Sequence, residues 1–366
     1  MSNDVIALFV PTLGGGGAER VMVTLANGLA EKGHNIHLVV ASAEGDYAQL
    51  VSEKVNLVDL RSKRMMIAAG PFSNYLLKQE PKVVFSAIDH ANLLSVALCK
   101  IFSPRSKRII SVHNSLTYVD VGSLRDKLVD RLKAWTWRNS HLVVTVSEGL
   151  ESQVRRSFPT LRTPVKTIHN PIDFSRIQEE ASANPSHPWL LDNTKPLIVG
   201  AGRLMPLKNF PLLIDAFERV LDTHDARLVI LGEGRLRENL EQIIESKSLG
   251  DKILLPGFDS NPYVWFRHSN IFVLSSDSEG LSMVLLEAMA CGTQVVSTDC
   301  KDGPREILEG GRWGKLVPVG DAEELAKAIL ETIEHPNQKN VVIRAQEFDV
   351  SIAVTEYERA IDGVMS

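Results

Sequence analysis

The sequence predicts an α/β protein with two doubly wound domains, and two observations support this prediction. Short runs rich in β-branched residues alternate with longer amphipathic segments along nearly the whole chain. Apolar strands interleaved with helices are typical of parallel sheets covered on both faces. The alternation stops at residues 174–195, a polar stretch with two prolines and no sustained period, and then restarts. Each half is therefore expected to have its own sheet, with a linker at 174–195.

Twelve runs have the length and composition of buried strands. In the first half they are residues 5–10, 35–41, 55–60, 83–88, 108–113 and 142–147. In the second half they are residues 196–202, 226–232, 252–257, 270–276, 294–298 and 314–319. Amphipathic segments such as 18–31 and 91–102 lie between them and predict helices. Ligands of doubly wound sheets bind outside the carboxyl ends of the strands, so the residues that follow each strand are the candidates for function.

Composition excludes several classes of protein. The chain has 366 residues, 44% of them hydrophobic and 23% charged, which is ordinary for a globular protein. A formal net charge of −5 argues against a dedicated nucleic-acid binder. The three cysteines have no paired spacing, so neither a disulfide framework nor a zinc site is expected, and a reducing cytoplasm fits best. The first apolar run is short and has no basic segment before it, so a signal peptide is not expected. No run approaches the roughly 20 apolar residues of a membrane span, which predicts a protein that is soluble or lies on a membrane surface.

Two glutamates eight positions apart, Glu279 and Glu287, follow the predicted strand 270–276. A helix is expected to begin near Ser282, and its first N–H groups suit a phosphate. Eight residues of helix rise span roughly 12 Å, about the distance from a sugar across a diphosphate to a ribose. The spacing fits a nucleotide-sugar, with Glu279 at the sugar and Glu287 at the ribose. The alternative is that Glu279 caps the helix and Glu287 lies on its solvated face.

Further candidates follow other predicted strands. Arg203 and Lys208 lie on the loop after strand 196–202, where two cations can neutralise a diphosphate, although most such pairs are ordinary surface charges. The glycine-rich turn at 13–20 lets a ligand approach the backbone, but it also fits a plain tight turn. His113 ends a strand and can face a ligand, whereas a histidine satisfied within its loop is commoner. No group has metal-ligand spacing and no D-x-D occurs, so a metal is not expected.

Together these motifs resemble the retaining GT-B glycosyltransferases of family 4. The resemblance covers almost the whole chain, and its most specific part is E-x7-E from Glu279 to Glu287 with the upstream Arg203 and Lys208. Supporting motifs are "GGAER" at 16–20, "HNPID" at 169–173, "GRLMPLKN" at 202–209, "LGEGRLRENL" at 231–240 and "LPGF" at 255–258. One departure is "DGPREI" at 302–307, where Gly303 alone stands in place of the family's Gly-Gly pair.

The resemblance implies two Rossmann-like doubly wound domains that face a central cleft. The N-terminal domain, residues 1–173, would bind the acceptor, and the C-terminal domain, residues 196–348, would bind the nucleotide-sugar. Residues 349–366 resemble the helix that returns to the first domain.

The resemblance also implies a role for individual residues. The catalytic set would be Glu279, His113, Arg203 and Lys208, with no metal and no cofactor. The donor site would add Glu287 at the ribose, Phe258 beside the base, and the backbone of Gly16, Gly17, Gly280, Leu281 and Ser282. Glu19 and Arg20 would contact the acceptor.

The implied function is transfer of a hexose or N-acetylhexosamine, with retention, from a nucleoside diphosphate-sugar to a growing bacterial glycan. UDP is the expected nucleotide and a polyprenyl diphosphate the expected carrier of the acceptor. Two alternatives remain, a nucleotide-sugar epimerase and a non-catalytic subunit that binds a nucleotide-sugar or a glycan.

One segment suggests contact with the inner face of the cytoplasmic membrane. Leu124, Leu128, Leu132 and Trp135 form one stripe of a predicted helix at 123–140, which is rich in basic residues. A second basic and apolar cluster lies at 61–67. Such clusters suit an anionic headgroup surface, whereas the alternative is that the stripe packs on the sheet.

Overall fold

A computed structural model of the chain describes residues 4–14, 16–113, 124–336 and 339–366, with backbone alone at 124–127. The described chain divides into two compact units. Unit 1 comprises residues up to Ile172 together with Asp349–Ser366, and unit 2 comprises Asp173–Phe348.

Unit 1 is built on a seven-stranded parallel sheet with the order β3-β2-β1-β4-β5-β6-β7. Its strands are β1 (Val5–Val10), β2 (Asn35–Val40), β3 (Asn56–Asp59), β4 (Val83–Ala87), β5 (Lys107–Val112), β6 (Leu142–Thr145) and β7 (Val165–Thr167). Its helices are α1 (Gly17–Glu31), α2 (Ala69–Gln79), α3 (Asp89–Phe102), α4 (Leu124–Arg138), α5 (Glu148–Ser157) and the C-terminal α15 (Val350–Met365). The cores on the two faces of the sheet differ, with α1 and α15 on one face and α2 and α3 on the other.

Helix α15 closes the core of unit 1. The chain leaves this unit after Ile172 and returns at Asp349, where the N–H of Val350 donates to the carbonyl of Ile172 at 2.9 Å. A side chain at Gly28 on α1 would lie 2.4 Å from Val354, so glycine lets the two helices approach closely. Tyr357 is buried against Phe85, with ring centroids 5.2 Å apart.

Unit 2 has a six-stranded parallel sheet with the order β10-β9-β8-β11-β12-β13. Its strands are β8 (Leu197–Ala201), β9 (Arg227–Leu231), β10 (Ile253–Gly257), β11 (Ile271–Leu274), β12 (Gln294–Thr298) and β13 (Lys315–Val317). Its helices are α6 (Phe174–Ala181), α7 (Pro188–Leu191), α8 (Phe210–Leu221), α9 (Arg237–Ser246), α10 (Tyr263–His268), α11 (Met283–Ala290), α12 (Pro304–Ile307), α13 (Ala322–Glu334) and α14 (Val341–Gln346). Helices α8, α9 and α13 pack on one face of the sheet around a core of aliphatic residues with Phe210 and Phe217.

All twelve predicted strands are present, and one strand, the three-residue β7, was not predicted. Residues 174–195, predicted as an irregular linker, instead hold helices α6 and α7 of unit 2. Helix α6 contacts α10 and α11. The sequence pattern missed it because Ile177 and Ala181 are the two residues that this short polar helix buries, too few to show a period.

Candidate functional site

The predicted residues Lys208 and Glu279 meet at the carboxyl edge of the sheet in unit 2. Lys208 Nζ lies 2.6 Å from Glu279 Oε1, and the two side chains are only 18% and 11% exposed. Lys208 follows β8 and Glu279 follows β11, the neighbouring strands at which the strand order of the sheet reverses. This reversal is where doubly wound sheets bind their ligands. The structure therefore places an ion pair at the position where sheets of this type bind their ligands.

Hydrogen bonds tie the loop after β8 to the loop after β11. Ser275 Oγ donates to the carbonyl of Lys208 at 2.8 Å, and the N–H of Asp277 donates to the carbonyl of Leu207 at 2.9 Å. Asn209 adopts a left-handed conformation and caps α8, and its Nδ2 donates to Asp277 Oδ1 at 2.8 Å. These bonds fix the backbone on which Lys208 is mounted.

Glu279 has a second donor besides the lysine. Ser276 Oγ donates to the same oxygen, Oε1, at 2.6 Å, and Ser276 is fully buried. The carbonyl of Ser276 in turn accepts a hydrogen bond of 2.6 Å from Thr298 Oγ1 at the end of β12. Nearby, burial and the negative charge of Glu279 raise the pKa of the Cys300 thiol to about 12, so this cysteine stays protonated.

The turn between Glu279 and α11 is packed against Gly303. A Cβ atom at position 303 would lie 3.0 Å from the carbonyl oxygen of Gly280 and 3.1 Å from the Cα of Leu281. Gly303 also has a φ of 37°, in the region that disfavours side chains. The loop after β12 thus supports the backbone from Gly280 to Ser282 by direct contact.

Helix α11 begins at Met283, after Ser282 as the N-cap residue, and the cap has no side-chain hydrogen bond. The hydroxyl oxygen of Ser282 is buried and has no partner in the described part of the chain. The first N–H groups of a helix have no intrahelical acceptor and favour an anion. Glu287, four residues after Met283, is only 6% exposed. This burial overturns the alternative that Glu287 is a solvated carboxylate on the helix surface.

The other predicted donor residues of unit 2 lie on neighbouring loops of the same sheet edge. Arg203 is exposed on the loop that ends at Lys208, and the N–H of the next residue, Leu204, donates to the carbonyl of Glu233 at 2.8 Å. Phe258 follows β10 directly and is 62% exposed. Its neighbour Gly257 has a φ of 95°.

In unit 1, the predicted glycines open helix α1. Gly16 is the N-cap residue, and the carboxylate of Glu19 folds back beside it, in the space that a Cβ atom at Gly16 would occupy. In the described part of the chain, and apart from the neighbouring backbone of α1 itself, no atom lies within 4 Å of the corresponding position at Gly17. Arg20 lies in the same first turn, and its N–H donates to the carbonyl of Gly16 at 3.1 Å. Gly15 falls outside the described residues.

His113, after β5, ends a buried chain of polar groups. Its Nε2 lies 2.7 Å from Ser111 Oγ. Asn92 on α3 accepts from Ser86 Oγ at 2.8 Å and donates to the carbonyl of Ser111 at 2.9 Å. Burial lowers the pKa of His113 to about 4, against the opposing charge of Asp89, so the imidazole is neutral at physiological pH.

Two family models match the chain and together cover nearly all of it. The model "Glycosyltransferase Family 4" matches residues 15–176, and "Glycosyl transferases group 1" matches residues 185–347. The chain belongs to the GT-B glycosyltransferases of family 4.

Curated relatives of this glycosyltransferase include enzymes of bacterial glycan synthesis. An N-acetylgalactosamine-N,N'-diacetylbacillosaminyl-diphospho-undecaprenol 4-alpha-N-acetylgalactosaminyltransferase of Campylobacter jejuni is 26% identical, covering 94% of this chain and 95% of the relative. A second Campylobacter jejuni enzyme, which adds N-acetylgalactosamine to a GalNAc-GalNAc-diNAcBac-PP-undecaprenol, is 27% identical, covering 97% and 98%.

Solved structures confirm the predicted fold of the glycosyltransferase. Sucrose-phosphate synthase of Thermosynechococcus elongatus superposes with a TM-score of 0.83 at 18% identity, covering 99% of both chains. The Anabaena protein HepE, crystallised with UDP, superposes with a TM-score of 0.78 at 18% identity, covering 98% of this chain and 100% of its own.

The glycosyltransferase structure thus brings some predicted residues together and adds others. It joins Lys208 to Glu279 and places both beside the start of α11. The residues that sequence reasoning missed are hydroxyl and amide groups that hold the predicted ones: Ser275, Ser276, Thr298, Asn209 and Asn92. A serine three positions before Glu279, at a strand end, was the one visible signal.

No group of three or more His, Cys, Asp or Glu side chains in the described part of the glycosyltransferase is arranged to hold a metal ion. No helix there is long and apolar enough to cross a bilayer.

Proposed function

We propose that this glycosyltransferase moves a hexose or N-acetylhexosamine from a UDP-sugar to a growing bacterial glycan on a polyprenyl diphosphate carrier, with retention of configuration. The single observation that supports the donor site is the Lys208–Glu279 pair beside the start of α11. The two Campylobacter relatives, whose acceptors are linked to undecaprenol, support the acceptor class. Structures of HepE with UDP and with UDP-glucose support the nucleotide.

The donor would lie along the carboxyl edge of the sheet in unit 2. Lys208 and Arg203 would neutralise the diphosphate, and the N–H groups from Gly280 to the start of α11 would bind its oxygens. Glu287, held in the second turn of α11, would accept hydrogen bonds from the ribose hydroxyls. Glu279 would contact the sugar, and the main chain at Phe258 would meet the base.

In the transfer step, the bond between the anomeric carbon and the diphosphate oxygen breaks as the acceptor oxygen bonds to the same face of that carbon. The acceptor proton passes to the departing diphosphate, so no enzymatic base is needed. Because the acceptor attacks the face that the diphosphate leaves, no enzymatic nucleophile is needed either. Negative charge grows on the leaving group, and Lys208, Arg203 and the start of α11 stabilise it there. The proposal also assigns roles to residues of unit 1. The backbone of Gly16 and Gly17 would bind the donor, and Glu19 and Arg20 would contact the acceptor. His113 would belong to the catalytic set. Because His113 is neutral, it can donate one hydrogen bond without adding charge.

Two segments of unit 1, helix α4 and residues 61–67, support docking on an anionic membrane. On α4, Leu128, Leu132 and Trp135 are 57%, 40% and 39% exposed, so the part of the predicted stripe described with side chains does not pack on the sheet. Leu124 lies outside that part. Met66 and Ile67 are also exposed, after the basic residues of the 61–67 cluster.

The basic residues of these two segments differ in whether they are available to bind lipid headgroups. Lys133 is paired with Asp89 at 2.9 Å, and Arg138 donates to Thr160, so neither is a free contact for lipid headgroups. Arg61, Lys63 and Arg64 are exposed. Each basic residue near an anionic surface contributes about 1 kcal/mol, so docking should be reversible and sensitive to salt.

A transfer assay tests the proposed function. The purified protein is incubated with UDP-N-acetylgalactosamine, UDP-glucose or GDP-mannose, with and without a polyprenyl diphosphate-linked glycan. We expect the lipid-linked glycan to gain one sugar from a UDP-sugar and the new linkage to keep the donor's anomeric configuration. Conversion of the donor without any acceptor would identify an epimerase instead. Binding of the donor without turnover on any lipid-linked glycan would support a non-catalytic subunit.

Vesicle flotation tests membrane docking separately. At low salt, vesicles that contain phosphatidylglycerol should carry the wild type upward, and neutral vesicles should not. Replacing Arg61, Lys63 and Arg64 with glutamine should abolish flotation, whereas the same change at Arg359, an exposed residue on α15 paired with Glu356, should not. If the wild type stays at the bottom of both gradients, the docking proposal is wrong and the transfer assay is unaffected.

A further inference from the structure

We infer that Ser276 is a positioning residue for Glu279, and that Thr298 supports it from the neighbouring strand. The inference rests on the role proposed for Glu279 at the donor sugar. Ser276 Oγ lies 2.6 Å from Glu279 Oε1, the length of a strong hydrogen bond from a hydroxyl to a carboxylate. Ser276 is fully buried two residues after the end of β11, so its hydroxyl has a fixed place in the loop that leads to Glu279.

Both donors of Glu279 bond to the same carboxylate oxygen, Oε1, so the other oxygen, Oε2, is available to a ligand. Lys208 Nζ and Ser276 Oγ both donate to Oε1. Oε2 makes no hydrogen bond with any residue in the described ranges. A glutamate side chain has three torsions to fix, and two donors on Oε1 fix them before a ligand arrives. Oε2 is then the oxygen presented to a hydroxyl of the donor sugar.

Lys208 alone cannot keep this geometry during the reaction. Its ammonium is the cation proposed to bind the diphosphate, and charge on the leaving group grows toward the transition state. As the ammonium turns to the phosphate, its hold on Glu279 weakens. Ser276 is neutral and is not drawn to the diphosphate, so it is the donor that continues to orient Glu279 when the sugar reacts.

Thr298 fixes the backbone of Ser276, the residue that donates to Glu279. Its Oγ1 donates to the carbonyl of Ser276 at 2.6 Å, and Thr298 is itself fully buried at the end of β12. This bond links the ends of two adjacent strands, both of which lead into loops of the donor site. Its loss would move the Ser276 backbone rather than remove the bond to Glu279, so its effect should be smaller.

The test compares four variants with the wild type: Ser276→Ala, Thr298→Val, Thr298→Ser and Glu279→Gln. A hydrogen bond to a charged group corresponds to about ten- to a hundredfold, so Ser276→Ala should lower kcat for sugar transfer by this factor. UDP lacks the sugar that Glu279 would contact, so its Kd should stay within about twofold of the wild-type value. Thr298→Val should lower kcat less, and Thr298→Ser, which keeps the hydroxyl, should restore it.

The matched control is Ser297→Ala, which removes an equally buried hydroxyl that bonds to the carbonyl of Thr298. If Ser276 only stabilises the fold, Ser276→Ala and Ser297→Ala will lower Tm, UDP affinity and kcat together, and the inference is wrong. It is equally wrong if Ser276→Ala transfers sugar at the wild-type rate while Glu279→Gln does not. Wild-type transfer by Glu279→Gln would instead refute the role proposed for Glu279 itself.

Discussion

The Lys208–Glu279 pair can be tested by a double-mutant cycle with Lys208→Met, Glu279→Gln and the double variant. Methionine keeps most of the lysine stem, and glutamine keeps the shape of the carboxylate. The two charges lie 2.6 Å apart and are mostly removed from water. Each single change therefore leaves one charge with its partner gone, whereas the double change leaves none.

The burial of the pair sets the size of the expected coupling. Exposed ion pairs contribute about 0–1 kcal/mol, and breaking a fully buried pair costs about 3–5 kcal/mol. At 18% and 11% exposure the two side chains lie close to the buried limit. Ser276 still donates a hydrogen bond to the Glu279 carboxylate after the lysine is replaced, which lowers the cost. We therefore expect a coupling energy of about 1–3 kcal/mol in the free energy of unfolding.

Urea denaturation of the four proteins measures this coupling. The control cycle uses Lys54 and Glu31, which lie 2.7 Å apart but are 60% and 58% exposed, and which should couple by less than about 1 kcal/mol. Saturating UDP should reduce the coupling in the first cycle, because the diphosphate shares the lysine, and should not affect the control. Additive single changes at Lys208 and Glu279 would refute the pairing seen in the structure.

Three further predictions concern single measurements. Glu287→Gln should raise the donor KM and leave Tm nearly unchanged. Because the ribose hydroxyls lose a charged acceptor, kcat/KM should fall about thirty- to several-hundredfold. Wild-type kinetics would refute the ribose assignment. His113 has a folded pKa of about 4, below the 6.5 expected when unfolded, so stability should fall as pH drops from 6.5 to 4. His113→Gln should flatten that part of the stability curve by at most about 3 kcal/mol, and an unchanged curve would mean that the imidazole is not buried as described. Transfer should persist in excess EDTA, and loss of activity that Mg²⁺ restores would show that a metal shares the diphosphate with Lys208.

The strands of both sheets were predictable because buried parallel strands are continuous apolar runs, and each run here is bounded by polar turns. Segments that bury only one or two side chains give no such signal. The strand β7 has three residues, and α6 buries two, so neither has enough apolar positions to show a period. Their places in the fold depend on contacts with residues far along the chain.

The candidate site likewise contains residues that the sequence predicted and residues that it did not. Glu279 and Glu287 were predicted as site residues because their spacing matches the size of a nucleotide-sugar, and Lys208 because it lies on the loop after a predicted strand. Ser276 and Thr298 were not found, because a buried serine or threonine at a strand end is common and its meaning depends on which oxygen it faces. Lys133 is one of the basic residues of the predicted helix at 123–140, and only the structure shows that it is paired with Asp89.

The one departure from the family pattern, Asp302-Gly303, is explained by the two backbone conformations. Asp302 has a φ of 70°, a left-handed conformation that aspartate adopts more readily than most residues. Gly303 has a φ of 37°, and a side chain there would also lie 3.0–3.3 Å from the backbone atoms of Gly280, Leu281 and Ser282. Strain alone limits the first position, whereas strain and contact both limit the second. The chain can therefore lose a glycine at 302 and still keep the turn that joins Glu279 to helix α11, provided that position 303 stays glycine.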